Sequence, residues 1–259
     1  MSVRNLYRVF NETRKAARER ATVAVTGESA GAAGRLSRLL GAERSVKGAE
    51  IIISVRESPG DEPVLEVSGK AIESPGELTL RADPVLAPDE ELLGEVVPWV
   101  VEALNEDYLV SIGRGYESFR RAVSEEVVQN NARQNAFIGA IPVPGADLPV
   151  MTANQGRMVL NIASVYGEEI TLDRARELAG VLGAGFGFRA LGRQVAKVVP
   201  FGGWAVAAAI GYAGTLAMGR AAILYFEGGH QNLSSEELSN IRERAVREGR
   251  NFVSRVRRK

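Results

Sequence analysis

Residues 141–158 read IPVPGADLPVMTANQGRM, a Pro-Val-Pro-Gly turn joining two apolar segments of helical character. Pro142 and Pro144 cannot continue the incoming helix, and the outgoing segment resumes a helical pattern at once. A turn of this kind in so apolar a setting predicts a helical hairpin rather than a catalytic loop. The polar residues beside it are Arg133 and Asn135 before the turn, Asp147 inside it, and Asn154, Gln155 and Arg157 after it. Asp147 falls at the start of the outgoing helix, where free N–H groups stabilise a carboxylate, and it can reach Arg133 across the hairpin. Helical spacing places Asn154, Arg157 and Asn161 on one face. Two readings stay open for this group: an internally satisfied polar network that fixes the hairpin, or a ligand or ion site between helices.

The hairpin lies in a region poor in charge. Gln134–Ala146, Leu178–Phe188 and Val198–Gly219 carry no formal charge, and the last is 22 residues long, enough to cross a bilayer. Small residues recur every fourth position in it, at Gly203, Ala207, Gly211, Thr215 and Gly219, which lays a smooth stripe along one helix face for close backbone approach. That stripe suits a membrane helix, a buried helix of a soluble bundle, or self-association into a homo-oligomer. Helices are expected at 115–140, 148–166, 171–183, 185–198, 202–226 and 235–256, with Ser234 and Glu237 forming a capping box for the last.

The first half differs. Thr22–Thr26 and Ile51–Val55 are short β-branched runs, Val64–Val67 and Leu78–Leu80 are weaker ones, and Asp89–Leu104 is helical with Pro98 as a kink or break. The strand–helix–strand order predicts a small α/β unit with parallel strands. After the first strand comes Gly27-Glu28-Ser29-Ala30-Gly31-Ala32-Ala33-Gly34, the order of a phosphate loop. Its lysine and its serine or threonine are replaced by Ala33 and Gly34, and Arg35 lies two positions too late. The loop is degenerate: Gly27, Gly31 and Gly34 remain as candidate nucleotide contacts without the cation and metal clamp of hydrolysis. The fold class expected is therefore α+β, a degenerate phosphate-loop-like α/β domain with a parallel sheet followed by an all-α module with hairpins. The boundaries expected are a basic amphipathic helix at 1–20, the α/β domain at 21–107, the helical module at 108–228 and a basic tail at 229–259.

The formal charge of the chain is zero, which argues against nucleic acid as a partner. The zero averages unlike parts: net +4 over residues 1–20, −12 over 57–108 and +6 over 242–259. Cationic ends beside apolar helices are drawn to anionic lipid. There is no cysteine, so thiolate catalysis and sulfur-ligated metals are excluded. The single histidine, His230, lies in a turn-like Gly-Gly-His-Gln-Asn stretch and reads as a loop imidazole. No cofactor, metal site or catalytic residue is expected.

Ala132–Ala136 (ARQNA), Ile141–Gln155, Arg157-Met158, Tyr166-Gly167 and Gly183–Phe188 (GAGFGF) together resemble the domain-of-unknown-function family 697, a YcjF-like family. The resemblance covers about 120–228 and implies a helical module associated with membranes and often adjacent to small GTPase domains. It implies no catalytic residues. The expected function is that of a non-enzymatic protein at the cytoplasmic face of a membrane, with a GTPase or another protein as partner. The alternatives are a nucleotide-binding protein with an atypical loop and a soluble helical interaction module.

Overall fold

Two short connections decide the sheet. The computed structural model describes residues 21–57, 63–81, 83–140, 147–169, 203–231 and 233–256, with residues 147–149 and 204 described by their backbone alone. The expected helices at 1–20, 171–183 and 185–198, the GAGFGF motif and the Pro-Val-Pro-Gly turn itself lie outside these residues. Strand β1 (Val23–Gly27) pairs in parallel with β2 (Ile51–Glu57), Val23 opposite Ile51 and Gly27 opposite Val55. Helix α1 (Ala30–Leu40) makes the crossover between them. Strands β3 (Pro63–Ser68) and β4 (Gly76–Thr79) then add in sequence order, each antiparallel to its predecessor. The expected parallel sheet is thus corrected to a mixed one. Residues 58–62 and 69–75 are too few for the crossover a parallel neighbour requires, so the chain must turn back on itself.

The chain forms two compact units that part between Glu126 and Val127. In the first, the sheet buries Val23, Val25, Ile51, Ile53, Val55, Leu65 and Val67. Leu36 and Leu40 of α1 and Phe119 are buried with them. Helix α2 (Asp89–Ala103) opens with Asp89, Glu90 and Glu91, carboxylates that suit the positive end of a helix. It runs through Pro98 and buries Leu92, Val96 and Val100 on its inner face. Helix α3 (Glu106–Gly115) is capped by Asn105, whose side chain accepts from the Asp107 N–H at 3.0 Å. The Tyr116 hydroxyl accepts from the Val23 N–H at 2.8 Å, and burial pushes its pKa up. At the edge of β1, the Val25 N–H donates to the Glu43 carbonyl at 2.9 Å and the Glu43 N–H donates to the Val23 carbonyl at 2.8 Å, so that edge is partly covered.

The unit boundary falls inside helix α4 (Arg120–Ala140). The second unit contains the end of α4 with α5 (Asp147–Val165), α6 (Gly203–Glu227) and α7 (Ser235–Val256). Helix α6 is its axis. Many of its buried residues, Ala208, Ala209, Ala213, Ala217, Ala221 and Ala222 among them, are small, so neighbouring helices approach closely. Helix α7 begins with the expected capping box: the Ser234 N–H donates to Glu237 Oε2 at 2.8 Å and the Glu237 N–H donates to Ser234 Oγ at 3.2 Å. It then lays Ile241, Ala245, Gly249 and Val253 on α6.

Candidate functional site

The strand–helix turn at Gly27 is tight. Only Glu28 and Ser29 separate β1 from α1, so Gly31 and Gly34 sit within the helix rather than in an open loop. Gly27 is required by its partner strand: a Cβ there would strike the carbonyl oxygen of Val55 and lie 2.7 Å from the Val55 Cβ. The Glu28 N–H donates to the Val55 carbonyl at 3.2 Å, and Ser29 accepts from the Ala32 N–H at 3.5 Å. Arg35 is held elsewhere. It donates to the Pro84 carbonyl at 3.3 Å and to the Ala87 carbonyl, and it pairs with Asp89 at 2.5 Å. This arrangement assembles one crossover corner of the sheet unit and leaves no cation aimed at the turn from Arg35.

In the helical unit the polar hairpin residues come together around a hydroxyl. Asn135 of α4 and Gln155 of α5 both donate to Thr215 Oγ1 of α6, at 2.9 and 3.2 Å. Thr215 donates in turn to the Gly211 carbonyl at 2.8 Å, and Asn154 donates to Asn135 Oδ1 at 3.2 Å. Asn135, Gln155 and Thr215 are buried. A hydroxyl has one donor and two acceptor positions, and all three are used here. The node therefore has no capacity left for a ligand on that oxygen, and its chemistry is that of a three-helix fastener. Arg133 lies outside the node, donating to Asn130 Oδ1 at 2.9 Å. The Asp147 side chain, and so its reach toward Arg133, lies outside the described residues. Arg157 sits half-buried on α5, two residues past Gln155.

The small residues of α6 divide between two neighbours. A Cβ on Gly211 would lie 2.6 Å from the Asn135 carbonyl oxygen, and one on Gly219 would strike the Val128 side chain. A Cβ on Gly139 of α4 would lie 2.8 Å from the Ala207 carbonyl. Helices α4 and α6 are therefore antiparallel and nearly in backbone contact along Ala207, Gly211 and Gly219. Gly203, at the helix start, has open space around it. On the other side, Gly249 of α7 approaches Ala209 and Ala213.

Helix α7 has two unlike faces. Phe252 stacks on Tyr212 with ring centroids 4.4 Å apart, and Glu248 forms a two-pronged ion pair with Arg220 at 2.6 and 3.1 Å. Arg244, Arg247, Arg250 and Arg255 are exposed and form no ion pair among the described residues. The Tyr212 hydroxyl donates to Gln129 Oε1 at 2.8 Å. Its pKa is raised, first by burial and then by Glu248, while Arg133, Arg220 and Arg255 oppose the shift. Arginines from three helices thus favour the ionised form of one phenol. The expectations from sequence did not include Tyr212 or Arg220, and took Arg255 only as one of the basic residues of the C-terminal helix; the signal available was a lone tyrosine in an uncharged run that ends at an arginine. At the far end of α6, His230 is more than a loop residue. Its Nε2 lies 2.8 Å from Glu168 Oε1, and its ring meets those of Tyr225 and Phe226 edge-on.

Among the described residues one helix, Ala205–Glu227, is long and apolar enough to cross a membrane, and 78% of its most apolar window is buried in the unit. No group of His, Asp and Glu suited to a metal ion occurs among the described residues. No solved structure matches the chain. A curated relative, magnetosome membrane protein 22 of Magnetospirillum gryphiswaldense, is 24% identical over 148 residues, which is 53% of this chain and 75% of the relative. The family model described as Domain of unknown function (DUF697) matches residues 106–250. That match spans more than half of the sequence and reaches from α3 into α7, and the chain belongs to the DUF697 family.

Proposed function

We propose that the protein is a non-enzymatic, membrane-associated scaffold at the cytoplasmic face, attached to anionic lipid by its helical unit. The sheet unit, with its acidic surface, serves to dock a partner protein. The observation that carries this reading is the outer face of α7, where Arg244, Arg247, Arg250 and Arg255 are exposed without an ion pair among the described residues. Each cation near an anionic surface contributes about 1 kcal/mol to adsorption. The relative's name, a magnetosome membrane protein, points the same way. Attachment is peripheral in this reading, because a crossing by α6 would strip away the neighbours that bury 78% of its apolar window. The test is co-sedimentation of the full chain with phosphatidylserine–phosphatidylcholine vesicles. Binding is expected to fall at least tenfold, roughly, when Arg247, Arg250 and Arg255 are changed together to Gln. Equal binding to purely zwitterionic vesicles would count against the reading.

A further inference from the structure

The loop that leads from β4 to α2 turns two apolar side chains outward and is held that way. Leu86 is 81% exposed, more than any other large apolar side chain among the described residues, and Val85 beside it is 49% exposed, while Pro84 is buried. A lone exposed leucine is ordinary on a protein surface. A loop free to move would fold such a pair inward, because burying apolar area is favourable. This loop is fixed from two sides. Asp83 opens an Asx turn: its Oδ1 accepts from the Val85 N–H at 2.7 Å and from the Leu86 N–H at 3.3 Å, and its carbonyl accepts from the Ala87 N–H at 2.9 Å. From beneath, the Arg35 side chain of α1, 17% exposed, donates to the carbonyls of Pro84 and Ala87 and pairs with Asp89. One guanidinium therefore spans the loop from end to end. Val85 lies against the first turn of α1, its Cγ2 3.9 Å from the position of a Cβ on Gly31. The strand–helix corner at Gly27 is thereby the seat of this loop.

The surrounding charge selects what can cover the pair. Asp83 before it, Glu90 and Glu91 after it, and Glu28 at the corner are exposed and form no ion pair among the described residues. Arg81 precedes the loop, and Arg38 and Arg44 meet Gly34 a turn further along α1. Carboxylates thus bracket the pair along the chain, and the cations stand to one side. The loop lies within residues 57–108, which are net −12. An anionic bilayer or a nucleic acid is repelled by such a block, whereas a basic protein surface is drawn to it.

We propose that Val85 and Leu86 form the docking knob of the sheet unit and seat in an apolar pocket, rimmed by lysine or arginine, on a partner protein. The inference rests on the reading of the sheet unit as a partner-docking platform and adds where the partner binds and what its surface carries. The clamp by Arg35 and Asp83 orders the loop beforehand, so little conformational entropy is lost on binding.

The test uses the tagged full chain in the cells that naturally make it. A photo-activated crosslinking residue replaces Val85 or Leu86, and in separate proteins Glu77, exposed on β4, or Val46, which is 44% exposed outside the acidic block. The positions of Val85 and Leu86 are expected to give one discrete adduct that the position of Val46 does not. The peptide attached there is expected to be apolar with a net positive charge. With the crosslinker at Val85, Leu86→Ala is expected to cut the adduct about tenfold and Glu90→Gln with Glu91→Gln about threefold, circular dichroism being unaltered. An adduct with a second copy of this chain, or with a peptide lacking an excess of lysine and arginine, overturns the inference. An adduct from the position of Glu77 and none from those of Val85 and Leu86 also overturns it, and leaves the docking role of the sheet unit standing. No adduct from any of these three positions removes that role and the inference together.

Discussion

At the scale of single residues, the helical unit turns on Thr215 and Gly211. Thr215 Oγ1 accepts from Asn135 and Gln155 inside the buried unit, so replacing it with Val leaves two buried amides without their acceptor. Thr215→Val is expected to destabilise the protein by about 2–4 kcal/mol, and Thr215→Ser by much less, in urea unfolding followed by circular dichroism. Gly211→Ala forces a methyl to within 2.6 Å of the Asn135 carbonyl and is expected to lower the unfolding midpoint strongly. Gly156→Ala is the contrasting case. It lies in α5 with no atom within 4 Å of an added Cβ, so it is expected to stabilise by about 0.5–1 kcal/mol. These positions were only partly legible. Repetition of small residues every fourth position put Gly211 and Thr215 on one face of a helix. It could not say that the Thr215 hydroxyl, rather than its small size, is what Asn135 and Gln155 meet. A hydrogen bond between residues 80 apart in sequence leaves no local pattern.

At the scale of elements, the four strands and most of the described helices were placed from sequence, whereas α3 and the direction of β3 and β4 were not. Periodicity and capping are local, and the Ser234–Glu237 box that opens α7 is visible in four consecutive residues. The bonds from Ser234 hold the Glu237 carboxyl below the ordinary carboxylate range. A lowered pKa means that this cap is complete above that range and is lost as pH falls through the lowered value. The Ser234 amide resonance should therefore shift in acid with the Glu237 titration, and Ser234→Ala should abolish that coupling while fraying the first turn. Strand direction, by contrast, depends on what lies between strands. The β-branched runs marked β1 and β2, and α1 between them gave the parallel pair, whereas β3 and β4 follow turns too short for any crossover. The strand–glycine–helix order at Gly27 resembled a phosphate loop because tight strand–helix turns also need small residues. Gly27 answers to Val55 across the sheet, a constraint that the order of residues along the chain does not display.

At the scale of the whole molecule, charge is distributed by role. The sheet unit carries the acidic surface, and α7 carries arginines whose inner neighbours lock it onto α6. With the template lysine absent and Arg35 bound to Asp89, calorimetry with millimolar GTP or ATP and Mg²⁺ is expected to show no saturable heat. The central claim, a scaffold held peripherally on anionic membrane by its helical unit, is tested most directly by fractionating cells that express the tagged full chain. The account predicts that the protein sediments with membranes at moderate salt and is released by alkaline carbonate without detergent. Quantitative recovery in the soluble fraction before any wash would contradict it.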